Sequence, residues 1–196
     1  MPPRIARLER DARGYPIPWN VVRGTDGTPF FTVNDDRKYY RALVEQLCPL
    51  CGERLGVFRW FAGGPRSAFD EHGWYLDLPG HRECIEFALI TCPYLAATRY
   101  EGRIDIVDPS KLPREARITL NQTMLPARPE LFVAVLSDDM QILKNAPPLL
   151  PYVRPVRPAL AYSFWRQGAR LSKAQAMPYL RAALGDTWEL PAIRTQ

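Results

Sequence analysis

Two short pairs, Cys48-Pro49-Leu50-Cys51-Gly52 and His81-Arg82-Glu83-Cys84, constrain this chain more than any other feature. A two-residue gap between cysteines, closed by a glycine, folds the backbone tightly enough for both sulfurs to face one point. A tetrahedral Zn²⁺ needs that on one side. The second pair supplies the other side. Residues three apart on a helix lie about 60° apart around its axis, so His81 and Cys84 in an opening helical turn present a nitrogen and a sulfur together. Cys48, Cys51, His81 and Cys84 are therefore the expected ligands of a Cys₃His zinc site. Four protein ligands leave no open coordination position, so the expected Zn²⁺ is structural and no catalytic residue is assigned.

Taken singly, each of these residues has an ordinary reading, an inert buried thiol or a satisfied histidine. The combined spacing is what points to a metal. Two residues compete for the ligand role. Cys92 follows Cys84 by eight residues, about 12 Å along a continuous helix, and is read as a buried free thiol. His72, in Asp70-Glu71-His72, falls between the two pairs, and its use would abandon the compact second pair.

The chain of 196 residues is long enough to bury a core, so zinc would fix one region and need not be the only source of stability. Its 20 prolines imply a loop-rich fold with modest helix and strand content. The formal charge of +5 is read as arginine spread along the chain, which leaves nucleic acid open as a partner without indicating it. No apolar run reaches the roughly 18 to 20 residues that span a bilayer, and Met1-Pro2-Pro3-Arg4 lacks the apolar core of a signal peptide. The expected location is cytoplasmic, where four cysteines at metal spacing favour thiolate ligation over disulfides.

Read in order, residues 1–18 form an arm with Arg4, Arg7, Arg10 and Arg13 at three-residue steps, lying extended on the domain. Trp19–Arg23 and Phe30–Val33 flank a Gly-Thr-Asp-Gly-Thr turn and read as a hairpin. A helix follows over Arg37–Leu47, capped by Asn34, Asp35 or Asp36, with Tyr40, Leu43, Val44 and Leu47 as its buried stripe. After the first cysteine pair, Val57–Ala62 and Trp74–Leu78 read as two strands, and a helix begins near His81 and ends at Cys92 before Pro93. Knuckle, hairpin and helix in that order are the treble-clef arrangement. Beyond it, Ile104–Val107, Leu131–Leu136, Met140–Leu143 and Ala159–Arg166 read as strands, with a proline-rich connector over 147–158. Ser172-Lys173-Ala174-Gln175 has the capping-box pattern for a last helix ending at Gly185, in which Pro178 should force a kink or a late start. The expected fold is α+β, with a zinc domain over residues 1–96 and a β-rich region over 97–196 that ends in a helix.

The runs Cys48-Pro-Leu-Cys-Gly-Glu-Arg-Leu-Gly, Pro79-Gly-His81-Arg-Glu-Cys84 and Cys92-Pro-Tyr-Leu, preceded by Arg13-Gly-Tyr-Pro-Ile-Pro-Trp19, resemble a group of uncharacterised proteins carried by phages and bacterial genomes. The resemblance covers the first half of the chain. It implies a mobile-element setting and the same four ligands, and it supplies no activity.

Two classes of function follow. A non-catalytic, zinc-stabilised accessory protein would act by contact with a host or phage protein, in keeping with the proline-rich connector and the setting the resemblance implies. The alternative is a nucleic-acid-binding protein, with Tyr39, Tyr40, Trp60 and Tyr100 interleaved among arginines, or an HNH-like nuclease with His72 as general base. The nuclease lacks an asparagine or second histidine between His72 and Cys84 once His81 is given to zinc.

Overall fold

The computed structural model describes residues 1–96, 129–143 and 150–195. In chain order its elements are α1 (Pro3–Ala6), β1 (Val21–Arg23), β2 (Pro29–Asn34), α2 (Asp36–Glu45), β3 (Arg59–Gly63), α3 (Pro65–Phe69), α4 (Arg82–Thr91) and α5 (Pro93–Ala96). They continue with β4 (Phe132–Ser137), β5 (Met140–Leu143), β6 (Tyr152–Pro155), β7 (Ala161–Arg166), β8 (Ala169–Leu171) and α6 (Lys173–Leu184). The fold is α+β, and its centre is an antiparallel four-stranded sheet in the order β3-β4-β7-β8. β3 comes from the first half of the chain and the other three strands from the second.

Period-two alternation explains how this sheet is covered on both faces. Trp60, Phe132, Ala134 and Trp165 point to one side, where they pack with Ile85 and Leu89 of α4. Phe61, Val133, Val135 and Phe164 point to the other and meet Ala68 of α3 and Ala176 and Leu180 of α6. The sheet therefore carries α4, the helix that brings two of the metal-site residues, directly on one face.

The hairpin β1–β2 forms as the Asp26-Gly27 turn requires, with Gly27 at φ +82° and the Thr28 N–H donating to Asp26. Asp35 caps α2 by accepting from the N–H groups of Arg37 and Lys38. The expected stripe of α2 holds in part, since Leu47 is buried and Leu43 packs against the core. Tyr39 and Ala42 are buried, whereas Tyr40 is 45% and Val44 79% exposed. The helix ends at Glu45 with Gln46 in the left-handed conformation, so Leu47 has already left the helical register. Tyr39 can be buried because its hydroxyl lies 2.7 Å from the Pro151 carbonyl and 3.0 Å from that of Leu76.

The hairpin expected after the knuckle is reduced. Residues 65–69 form α3, and 74–78 make no strand: Tyr75 bridges only to Val153. β3 is paired instead by a single bridge between Trp60 and Gly80, with N···O distances of 3.0 and 2.9 Å, and this delivers the chain to His81. The module is therefore treble-clef-like, with one bridge in place of a full hairpin. Part of the expected proline-rich connector is β6, paired with β5. The last helix has its capping box between Ser172 and Gln175 and runs on through Pro178. The carbonyl that Pro178 cannot satisfy belongs to Ala174, an exposed residue open to water. The strand expected at 104–107, Tyr100, and connector residues 147–149 lie outside the described residues.

Candidate metal centre

The ligand atoms of Cys48, Cys51, His81 and Cys84 all lie within 4.8 Å of one another. His81 Nδ1 is 3.4 Å from Cys51 Sγ and 3.9 Å from Cys84 Sγ. Zinc–sulfur and zinc–nitrogen bonds of about 2.3 and 2.0 Å at a tetrahedral angle set sulfur and nitrogen about 3.5 Å apart, so the cluster has the dimensions of a zinc site.

The knuckle is built by its backbone. Leu47 and Arg54 form an antiparallel bridge, the Cys48 N–H donates to Glu53 at 2.8 Å, and the Gly52 N–H donates to Cys48 at 2.8 Å. Gly52 sits at φ +75°, where an L side chain is strained, and a Cβ there would lie 2.7 Å from Trp19 Cδ1 and Cγ. Trp19 in turn is tied down, because its N–H and that of Asn20 donate to Leu50 and Pro49 at 2.9 and 3.1 Å. The hairpin segment thus braces the knuckle from outside.

The other pair arrives at the mouth of α4. His81 is the N-cap, in extended conformation, and Cys84 is in the first turn, so the imidazole leans back toward the knuckle instead of lying along the helix as the spacing suggested. His81 Nε2 is 3.1 Å from the Arg54 carbonyl oxygen. A carbonyl only accepts, so the proton sits on Nε2 and the Nδ1 lone pair is directed at the sulfurs, the outer-shell contact that metal-bound histidines use.

Electrostatics favour a cation at the centre. Cys48 and Cys84 are fully buried, while Cys51 and His81 are partly covered. Hydrogen bonds from the thiols of Cys51 and Cys84 push Cys48 down to about 3, against burial, which acts in the opposite sense. The same contacts read from the other end, with burial added, push the Cys84 thiol well above its ordinary value. A divalent ion bound among these packed sulfurs would displace the thiol protons that remain, giving three thiolates. The donor set fits structural Zn²⁺, with four protein ligands and none left for substrate.

One part of the centre was absent from the sequence reading. Instead of an extended arm, residues 3–6 form α1, whose Ile5 is 3% exposed and packs on Cys48, Leu55 and Cys84. Arg4 pairs with Glu53 of the knuckle and, at 2.9 Å, with Glu83 of α4, and Arg7 reaches Glu53 at 3.2 Å. The three-residue arginine repeat was the visible signal, but its acidic partners are 49 and 79 residues away from Arg4.

The rival residues stand elsewhere. Cys92 is the C-cap of α4, at the end opposite Cys84, and is half-buried where full burial was expected. His72 is exposed on the turn after α3, its N–H donating to Asp70 at 2.9 Å. Tyr39 and Trp60, read as possible stacking residues, are core.

Fold and site together define an α+β protein with a treble-clef-like zinc module. No protein-family model, curated protein or solved structure matches the chain. Among the described residues, no helix is long and apolar enough to cross a membrane.

Proposed function

We propose that this protein is a non-catalytic accessory protein of a phage or mobile element that acts in the bacterial cytoplasm by binding another protein, with zinc holding the contact surface rigid. The carrying observation is the connection from knuckle to β3, where Val57 is 66% and Phe58 52% exposed. Its two ends are fixed. Leu55 donates its N–H to Gln46 at 2.7 Å, and the buried Arg59 donates to Gln46 Oε1 at 2.9 Å. A consecutive aliphatic and aromatic pair held out on anchored flanks costs little further ordering when a partner covers it. Four of the five arginines before β2 support the same reading, since Arg4, Arg7, Arg13 and Arg23 are engaged by Glu53, Glu83, Asp11 and Glu9, while the exposed Arg10 donates to the Gly14 carbonyl. The mobile-element setting rests on the motif resemblance of the first half.

The test is capture from a bacterial lysate by the zinc-loaded protein, run beside Phe58→Glu and Cys48→Ser. The reading expects one specific protein that Phe58→Glu loses while keeping its zinc. Capture that survives Phe58→Glu would refute the assigned surface.

A further inference from the structure

The basic residues are spread along the chain, but the acidic ones are not. From Met140 to Gly185 there are seven lysines and arginines and no aspartate or glutamate, so the remaining nineteen basic and 21 acidic residues leave the rest at net −2. The stretch containing β5–β8 and α6 carries +7, more than the chain's whole net charge of +5. A stretch without acids leaves its basic side chains unopposed along the sequence, so an anion could bind where one of them is free of ion pairs.

Within that stretch a groove of about 440 Å³ opens between the β7–β8 turn and α6, and no acidic residue lines it. Arg166 lines this groove beside Gln175, Pro178 and Tyr179. Its guanidinium lies over the Tyr179 ring, 4.7 Å from the centroid, and has no ion pair among the described residues. Its buried Nε has no hydrogen-bond acceptor among the described residues. Gln175 gives its carbonyl oxygen to the Ser172 N–H at 2.9 Å, which leaves its amide NH₂ to donate. Lys173 adds an exposed charge in the first turn of α6.

We propose that this groove binds a phosphate group, with Arg166 as its principal contact and Gln175 as a second donor. A guanidinium already stacked on an aromatic ring loses little freedom on binding, and its planar fork matches two phosphate oxygens. Phosphate is favoured over an isolated carboxylate because the acid-free surroundings reward a repeated or multiply charged anion. The groove has the volume of a small-molecule site, suited to one nucleotide unit, whether free or within a single strand.

The experiment is fluorescence anisotropy of the full chain with a labelled oligothymidylate of about 12 nucleotides, between about 50 and 200 mM salt. Arg166→Gln is expected to weaken binding about tenfold and to lower the slope of log affinity against log salt by about one. Lys173→Gln moves both in the same direction by less, and it carries the test if a thermal melt shows that Arg166→Gln does not fold. Arg37→Gln, exposed and outside the acid-free stretch, leaves binding unchanged. Competition by thymidine monophosphate at equal phosphate concentration identifies a free nucleotide as the source, and its failure to compete identifies the strand. No salt-dependent binding, Arg166→Gln and Lys173→Gln both binding like the wild type, or displacement by oligoglutamate as effective as by oligothymidylate would overturn the proposal. The last outcome assigns the groove to an acidic peptide.

Discussion

Replacing Gly52 by alanine tests how the knuckle is held. Gly52 has φ +75°, and the added methyl would sit 2.7 Å from two Trp19 ring carbons. The left-handed conformation costs an L residue about 1–2 kcal/mol, and forcing a methyl into a packed contact costs about 1–3 kcal/mol more. The expected loss is therefore about 2–5 kcal/mol, read from urea unfolding of the zinc-loaded protein at fixed free zinc. Gly27→Ala separates the two contributions, because Gly27 has φ +82° with nothing within 4 Å of its added Cβ. It should lose only the backbone part, about 1–2 kcal/mol. Shortening the ring in Gly52→Ala/Trp19→Leu should leave the double variant about 1–3 kcal/mol more stable than the sum of the single losses predicts. Equal losses for Gly52→Ala and Gly27→Ala, with additive behaviour on Trp19→Leu, would show that Trp19 does not brace the knuckle.

Other consequences follow from the same contacts. Arg4 bridges both ligand-bearing elements through pairs that are about one third exposed, so each pair is worth at most about 1 kcal/mol, and Arg4→Ala should speed zinc loss to a chromogenic chelator a few-fold, with high salt bringing the wild type toward the variant. The two buried tyrosines should part company. Tyr39→Phe strips the hydroxyl from the Pro151 and Leu76 carbonyls and should cost about 1–3 kcal/mol. Tyr75→Phe removes a buried hydroxyl with no hydrogen-bond partner among the described residues, whose ionisation burial already pushes upward, and thermal melting should show no loss. Arg194 beside Asp138 holds that carboxyl below its ordinary range. The stability it gives is present at neutral pH, above the unfolded pKa, and is lost as pH falls through the lowered folded value. In Arg194→Gln, the Asp138 titration followed by NMR should return to the ordinary range.

What the sequence made legible was mostly local chemistry. Cys48, Cys51, His81 and Cys84 could be grouped because two spacings and one glycine carry the geometry, and the α6 capping box because Ser172 and Gln175 satisfy each other's backbone partners. The α2 stripe was half right: Leu43 and Leu47 reach the core, but Tyr39 is buried in place of Tyr40 and Val44. Which face is buried is decided by carbonyls at Leu76 and Pro151 that can accept from Tyr39, and nothing within the helix announces them. The clamp of Arg4 on Glu53 and Glu83 was hidden for the same reason, since it is long-range. Helix α3 lies between the two segments read as strands, where no helix was read, although Pro65 at its first position was a usable start signal. The acid-free stretch could have been counted from the sequence. A net charge averaged over the chain conceals it.

The central claim is the closed zinc centre, and X-ray absorption at the zinc edge of the purified protein, with metal stoichiometry on the same sample, tests it most directly. The account predicts one zinc per chain, with three sulfurs at about 2.3 Å and one nitrogen at about 2.0 Å. A substoichiometric metal, or a shell containing water oxygen or fewer than three sulfurs, would contradict it.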